Sequence, residues 1–236
     1  MTTFEVVTTY APRHWESHAR RCVESFHKHW EGIPLSAYTD ADLEAQSTWL
    51  SQFKRRHAGL PTHNYRFDAV RFAHKVAAIE LAFAKCRSDY LIWMDADCVT
   101  HADVDAEWLE GLAQGADFAY LKRAKKYPEC GFMMFRANWT VETLMTALVE
   151  FYETDRVFNL AEWHDSWVID HVRAWLEKQD VLRCASLSGS AENTAHPLVN
   201  GPLGARLDHC KGNRKQAGRS HASDLKVKRT EAHWNG

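Results

Sequence analysis

The sequence predicts an α/β fold in which a doubly wound mixed sheet is flanked by helices. Segments with strand character alternate with segments of helical periodicity along the 236 residues, which is typical of this class. The apolar run at 90–94 indicates a strand buried on both faces, the pattern of a strand in a parallel sheet. It ends in Asp95 and Asp97, and open α/β sheets bind ligands at the carboxyl ends of their strands.

The first hundred residues alternate strand and helix in the order that a doubly wound sheet requires. β-branched residues indicate strands, apolar residues at helical spacing indicate helices, and Gly32 with Pro34 separates the first helix from the next strand. The predicted elements are a strand at 4–10, a helix at 14–30, a strand at 35–40, a short helix at 49–56 within an irregular stretch at 39–64, a helix at 67–86 and the strand at 90–94.

Beyond Asp97 the pattern changes to short strands and amphipathic helices. A stretch rich in Gly, Ser, Asn and Pro predicts a loop near the end of this region. The predicted elements are a helix at 104–112, strands at 117–121 and 131–136, helices at 139–154 and 165–178, a strand at 181–187 and the loop at 188–204.

Composition sets the class of protein. Hydrophobic residues make up 45% and charged residues 25%, which is ordinary for a globular domain. The N-terminal residues do not have the pattern of a signal peptide, and no apolar run approaches the roughly 20 residues that span a bilayer. The six cysteines are scattered without a C-x-x-C pair, which predicts reduced thiols. We therefore expect a cytoplasmic protein that does not insert into membranes.

Charge is concentrated near the C-terminus. The formal net charge is only −2, yet residues 206–229 contain eight basic residues and two acidic ones. Such a block is typical of either a solvated tail or an anion-binding segment.

The two acids after the central strand point to a metal site. Carboxylate oxygens suit a hard divalent cation, Mg²⁺ or Mn²⁺, that is shared with the phosphates of a substrate. The acids alone do not establish such a site, because two acids at this spacing are common by chance.

Several segments, in order along the chain, resemble those of metal-dependent GT-A glycosyltransferases, in particular compact phage and bacterial members. Asp95-Ala96-Asp97 resembles the D-x-D motif, and the segment at 66–75 resembles the preceding helix with its basic residues. Further on, 129–132 resembles the acceptor-side strand, 164–166 the acid-bearing start of a helix, and 208–215 the C-terminal metal and phosphate segment. The likeness implies one GT-A-like domain with a nucleotide-sugar-binding half at about 1–100, an acceptor half at about 101–204 and a basic metal and phosphate segment at 205–236.

The resemblance also implies roles for individual residues. The donor would be a nucleotide-sugar, with UDP as the expected nucleotide, bound with Mn²⁺ or Mg²⁺. The metal ligands would be Asp95, Asp97 and His209. Residues expected to contact the donor are Tyr10 and Asp40 at the base or ribose, Asp95 at the ion or ribose, and Arg71, Lys75, Lys211, Gly212, Arg214 and Lys215 at the diphosphate. Asp165 is the first candidate for the base that deprotonates the acceptor, and Glu129 the second, although an acid in the first turn of a helix needs no function.

The acceptor and the class of reaction have alternatives. The pattern at 202–220 resembles phage enzymes of which some glycosylate hydroxymethylated pyrimidines in DNA, and the basic segment would then hold the strand. A glycan or lipid-linked saccharide is the other acceptor. Asp95 also matches the nucleophile of haloacid-dehalogenase-type phosphatases, although that motif usually ends the first strand. A non-catalytic nucleic-acid-binding protein is a further alternative. The sequence does not specify the oligomeric state.

Two patterns favour structural explanations. Trp163, Trp167 and Trp175 recur at helical spacing, which predicts core packing rather than a sugar platform. Cys98 with His101 could suggest zinc, but the spacing lacks the paired cysteines of a structural site.

Overall fold

The computed structural model describes residues 1–60 and 64–235, and it contains a six-stranded mixed sheet with helices on both faces. The strands are β1 Phe4–Tyr10, β2 Leu35–Thr39, β3 Tyr90–Met94, β4 Cys98–Thr100, β5 Phe118–Leu121, β6 Glu129–Arg136, β7 Cys184–Ser186 and β8 Leu207–His209. The helices are α1 Arg20–His29, α2 Asp40–Gln46, α3 Thr48–Arg56, α4 Ala69–Lys85, α5 Ala106–Ala113, α6 Trp139–Glu153, α7 Asp165–Lys178, α8 Pro197–Asn200, α9 Arg214–Ala217 and α10 Ala232–Asn235. The predicted mixed α/β fold is confirmed.

The six strands lie in the order β2-β1-β3-β6-β5-β7. β1 is parallel to β2 and β3, whereas β6 runs antiparallel to both β3 and β5. All five residues of β3 are buried, as the apolar run predicts, but only one of its neighbours is parallel. The burial therefore comes from helices on both faces of the sheet and does not require parallel pairing.

Side chains alternate between two apolar cores along the central strands. In β3, Leu91 and Trp93 join the core under α3, α4, α6 and α7, while Ile92 and Met94 join the core under α1 and α5. The sheet thus separates two apolar cores, and the loops at its carboxyl edge are supported from both sides.

Several short elements were not predicted. The segment after β2 forms α2, in which Thr39 and Asp42 make a reciprocal capping box, so Asp40 begins a helix instead of ending a strand. β4 and β8 form a separate two-stranded antiparallel sheet of three residues each. Such short strands carry too few residues for a periodic pattern. Within the irregular stretch at 39–64, residues 61–63 lie outside the described residues.

The prediction for the tryptophans of α7 is wrong for Trp175, which is 57% exposed. The buried side of this helix is aliphatic, and its core residues are Val168, Ile169, Val172 and Leu176. Helical spacing identifies residues that share a face, but not whether that face is covered.

The basic segment folds back onto the domain. Asp208 is fully buried and accepts hydrogen bonds from the amide and hydroxyl of Ser220, while His233 Nε2 lies 2.9 Å from the same carboxylate. Trp234 donates to the carbonyl of Gly204. The segment is therefore packed structure and not a solvated tail. Within the described ranges, no helix is both long and apolar enough to cross a lipid bilayer.

Candidate active site at the carboxyl edge of the sheet

The predicted site residues meet where β1, β2 and β3 end. Tyr10 is the last residue of β1, Asp40 follows β2, and Asp95 follows β3. Because these strands are parallel, their carboxyl ends lie at one edge. The backbone amide of Asp95 donates to the carbonyl of Gly131, which ties the acidic turn to β6.

The small sheet of β4 and β8 brings His209 to the same place. Its ladder pairs Cys98 with His209, and the amide of Cys210 donates to the carbonyl of Asp97. The imidazole Nε2 of His209 lies 3.1 Å from Asp97 Oδ1 and 3.5 Å from Asp95 Oδ2. The pairing of two three-residue strands thus joins segments more than one hundred residues apart.

Glu129 fixes the orientation of that imidazole. Its Oε1 lies 2.7 Å from His209 Nδ1 and 2.7 Å from Lys211 Nζ, and the residue is only 2% exposed. Burial alone would raise the pKa of Glu129, but Lys211 and the neighbouring histidines hold it well below its usual range. One ring nitrogen of His209 is therefore engaged by a carboxylate, and the other faces the two aspartates.

Gly131 makes room for the ring. A Cβ at this position would lie 2.3 Å from Cε1 of His209, far closer than atoms tolerate. The glycine sits inside β6, where its lack of a side chain weakens a strand unless another group must approach closely. Here the approaching group is the imidazole.

Lys75 lies between two acids and does not face solvent. Its Nζ is 2.8 Å from Asp95 Oδ1 and 2.5 Å from Asp165 Oδ2, and it donates to the carbonyl of Cys130. Burial would raise the pKa of Asp165, but the Lys75 ammonium outweighs it and holds that pKa well below its usual range. Asp165 is therefore ionised and close to Asp95.

Lys215 supplies a second cation at the aspartate pair. Its Nζ lies 2.9 Å from Asp97 Oδ2, and its carbonyl accepts a hydrogen bond from the guanidinium of Arg21. Arg21 also occupies the space beside Gly218, a residue with a left-handed backbone (φ 68°), at which a Cβ would collide with the guanidinium. This contact fixes α9 and its lysine against α1.

A π-helical turn beside the site was missed by sequence reasoning. Residues Trp15–Ala19 form this turn, which places the Trp15 ring 5.3 Å from that of Tyr10. His18 in the turn lies 2.8 Å from the Ser17 hydroxyl, and burial, with the nearby charge of Lys215, lowers its pKa to about 4. His18 is therefore a neutral imidazole near the acids, and no spacing signal announces such a turn.

The other residues predicted to contact the nucleotide-sugar are more dispersed. Arg71 is exposed one turn before Lys75, and Gly212 has a left-handed backbone (φ 58°) in the loop after β8. Arg214 pairs through two nitrogens with Asp224, at 2.9 and 2.6 Å. The structure thus brings Lys75, Lys211 and Lys215 onto site carboxylates, and engages Arg214 elsewhere in the C-terminal segment.

The side-chain atoms at this site are suitable ligands for a divalent cation. A carboxylate oxygen of Asp97, Cys98 Sγ and a ring nitrogen of His209 all lie within 4.8 Å of one another. Burial raises the pKa of Cys98 well above its usual value, and its thiol donates to the carbonyl of Gly131. The remaining oxygen and nitrogen donors, with Asp95 alongside, match the preferences of Mn²⁺ or Mg²⁺. Glu129 provides the carboxylate that commonly orients a metal-ligating histidine.

Comparison with protein-family models identifies a family. The family model for Glycosyl transferase family 2 matches residues 50–176, more than half of the chain, and the matched range includes both Asp97 and Asp165. No curated protein matches the chain.

Replacing Gly131 with alanine should destabilise the protein. The new Cβ must displace an imidazole whose Nδ1 is hydrogen-bonded to Glu129 and whose Nε2 lies 3.1 Å from Asp97, and overpacking of this kind costs about 1–3 kcal/mol of unfolding free energy. Urea denaturation measures this loss. Gly111→Ala is the matched control, because nothing lies within 4 Å of its Cβ and alanine favours a helix by up to about 1 kcal/mol. Equal stability of Gly131→Ala and the wild type would contradict the close approach.

Removing the Lys75 ammonium should destabilise the protein more strongly. Lys75→Met leaves Asp165 buried without its cation, which costs about 3–5 kcal/mol of unfolding free energy. The double variant Lys75→Met/Asp165→Asn should recover much of this loss, since no uncompensated charge then remains beside Asp95. Lys54→Met, which breaks the partly exposed pair with Glu44, should change stability by no more than about 1 kcal/mol.

Proposed function

The chain belongs to glycosyl transferase family 2, and we propose that this glycosyltransferase moves a sugar from a UDP-sugar to a hydroxyl group. The observation that carries the proposal is the imidazole of His209, which is held by buried Glu129 at one nitrogen and faces Asp97 and Asp95 with the other. Family membership favours this reaction over the phosphatase alternative.

Asp97 and His209, with Asp95 beside them, would hold a divalent cation, Mn²⁺ or Mg²⁺. When bound, such a cation acts as a Lewis acid that neutralises charge on the departing diphosphate. The structure supports this assignment through the donor atoms and their spacing.

The lysines around these acids are suited to binding the diphosphate. Lys215 Nζ lies on the Asp97 carboxylate, and Lys211 Nζ reaches the same cluster through Glu129. Charged nitrogens at this position would contact phosphate oxygens, with exposed Arg71 completing the set. Arg214 is instead assigned to holding the C-terminal segment through Asp224. Tyr10 and Asp40, at the ends of β1 and β2, would contact the base and ribose.

Asp165 is the proposed base, and Glu129 is assigned a positioning role. Asp165 shares the Lys75 ammonium with Asp95, so it is ionised beside the reacting centre, whereas Oε1 of Glu129 is engaged by both His209 and Lys211. In a single displacement, the acceptor oxygen bonds to the anomeric carbon and its proton passes to Asp165. The bond from that carbon to the phosphate oxygen breaks, and the electron pair leaves with UDP.

For the acceptor we propose a hydroxymethylated pyrimidine of DNA in preference to a glycan. Asp165 is only 7% exposed, so the acceptor hydroxyl must be carried on a group narrow enough to enter the site. A base that has left the stack presents a hydroxymethyl group in this way.

Binding of UDP should depend on manganese and on the assigned ligands. Calorimetric titration of UDP, with GDP, CDP and ADP alongside, should show tight binding only for UDP and only with the metal. Asp97→Ala and His209→Ala should each weaken that binding by more than about tenfold, because each removes a donor atom. Asp103→Ala, which alters an acid with a 90% exposed side chain, is the control. Unchanged manganese-dependent binding in both site variants would defeat the assignment.

Variants of Asp165 and Glu129 should differ in which kinetic parameter changes. Asp165→Asn should lower kcat for release of UDP by about 10²–10⁴-fold while UDP affinity stays unchanged, as expected for loss of a general base. Glu129→Gln should instead raise the manganese concentration that gives half-maximal rate by about 10–100-fold, since it disturbs the orientation of His209. A kcat loss confined to Glu129→Gln would reverse the two roles.

A further inference from the structure

A groove along α7 lies outside the acidic cluster and has an aromatic wall. Trp167, His171 and Trp175 are spaced four residues apart, so they share one face of the helix. Trp175 is exposed over 57% of its surface and His171 is also exposed. An indole left this open on a rigid helix is available for a flat ligand.

The loop between β5 and β6 forms the opposite wall. Lys125, Lys126 and Tyr127 of this loop line the groove, which has a volume of 700 Å³. The Arg123 guanidinium donates to the carbonyls of Tyr127 and Pro128, which fixes the loop. Lys125 and Lys126 are exposed, and the Lys126 ammonium lies 4.9 Å from the centre of the Tyr127 ring. This wall of the groove is therefore held in place by contacts within the chain.

The charge of the groove favours an anion. Lys125, Lys126 and Lys178 line it together with a single acid, Asp170. That acid is engaged by the guanidinium of Arg173 on the same helix, at 2.7 Å. The lining therefore carries three lysines and one carboxylate, and that carboxylate is ion-paired with Arg173.

Tyr127 connects the groove to the segment that carries the proposed base. The Tyr127 ring lies 5.9 Å from that of Trp167 and 4.6 Å from that of His164, the residue before Asp165. Tyr127 is also two residues before Glu129, the first residue of β6. A chain lying in the groove would therefore run beside the segments that carry Asp165 and Glu129.

Resting on the proposed function, we infer that this groove holds the acceptor as a single-stranded polynucleotide. Bases of the strand would stack on Trp175 and Trp167 while the lysines bind the phosphates, the combination by which proteins hold single strands. The basic C-terminal segment is a poorer surface for the strand. Its Arg206, Arg214 and Arg229 are paired with acids of the same chain, and Lys211 and Lys215 lie on site carboxylates.

The test is fluorescence anisotropy with a labelled oligothymidylate strand, measured over a range of salt concentrations on the full chain. Trp175→Ala should weaken binding by roughly tenfold or more, because one stacking platform is lost. Trp139→Ala is the matched control, since Trp139 is 70% exposed on α6 and does not line the groove. Lys125→Ala/Lys126→Ala should reduce the slope of log affinity against log salt by about 1.4, and Lys28→Ala/Lys85→Ala should leave it unchanged.

UDP is titrated into every variant in parallel, so that a loss of acceptor binding can be distinguished from a loss of donor binding. Failure of the wild type to bind the strand at low salt, with UDP binding intact, overturns the groove inference alone. Binding of polygalacturonate that depends on Trp175, in place of the strand, overturns it in favour of an anionic glycan. Equal loss in the Trp139 and Trp175 variants also counts against it. Absence of UDP binding in the wild type defeats the proposed function, whatever the strand does.

Discussion

Compensation of buried negative charge is the constraint on which the arrangement of this protein depends. Asp95, Asp97, Glu129 and Asp165 gather at one edge of the sheet, where carboxylates without partners would repel one another and lose hydration. The compensating groups come from distant segments: Lys75 from α4, and His209, Lys211 and Lys215 from the C-terminal segment. The return of that segment to the sheet is thus required by electrostatics, and the β4–β8 ladder and the Arg21 contact are the means by which it is held.

The long elements could be predicted because their patterns are long. α7 has the predicted bounds, and β3 is buried throughout, since many residues contribute to each periodic signal. The three-residue strands β4 and β8 offered no such signal. The contact between Glu129 and His209 spans 80 residues, so only the tertiary structure reveals that one orients the other. The resemblance placed both residues in the site, but it did not indicate that Glu129 orients the imidazole of His209.

Charge and aromatic patterns were less informative than periodicity. The basic segment was expected to be a tail or an anion-binding surface, yet much of its positive charge is used within the chain. Lys75 was expected at the diphosphate, and the structure shows its ammonium between the carboxylates of Asp95 and Asp165. The exposed indole of Trp175 was expected in the core. In each case the sequence identifies the chemical group, whereas its partner depends on which elements pack against it.

The separation of the site's partners along the chain also bears on how the protein folds. The Arg21–Lys215 contact closes a separation of 194 residues, and the Lys75–Asp165 contact one of 90. Contacts of such high sequence separation carry a large loop-closure entropy and form late. A chain with a complete sheet but an undocked C-terminal segment would retain α7, its groove and Lys75, but it would lack His209, Lys211 and Lys215, which compensate the charges of Asp97 and Glu129. Catalytic competence would therefore be among the last properties the folding chain acquires, well after most of its secondary structure.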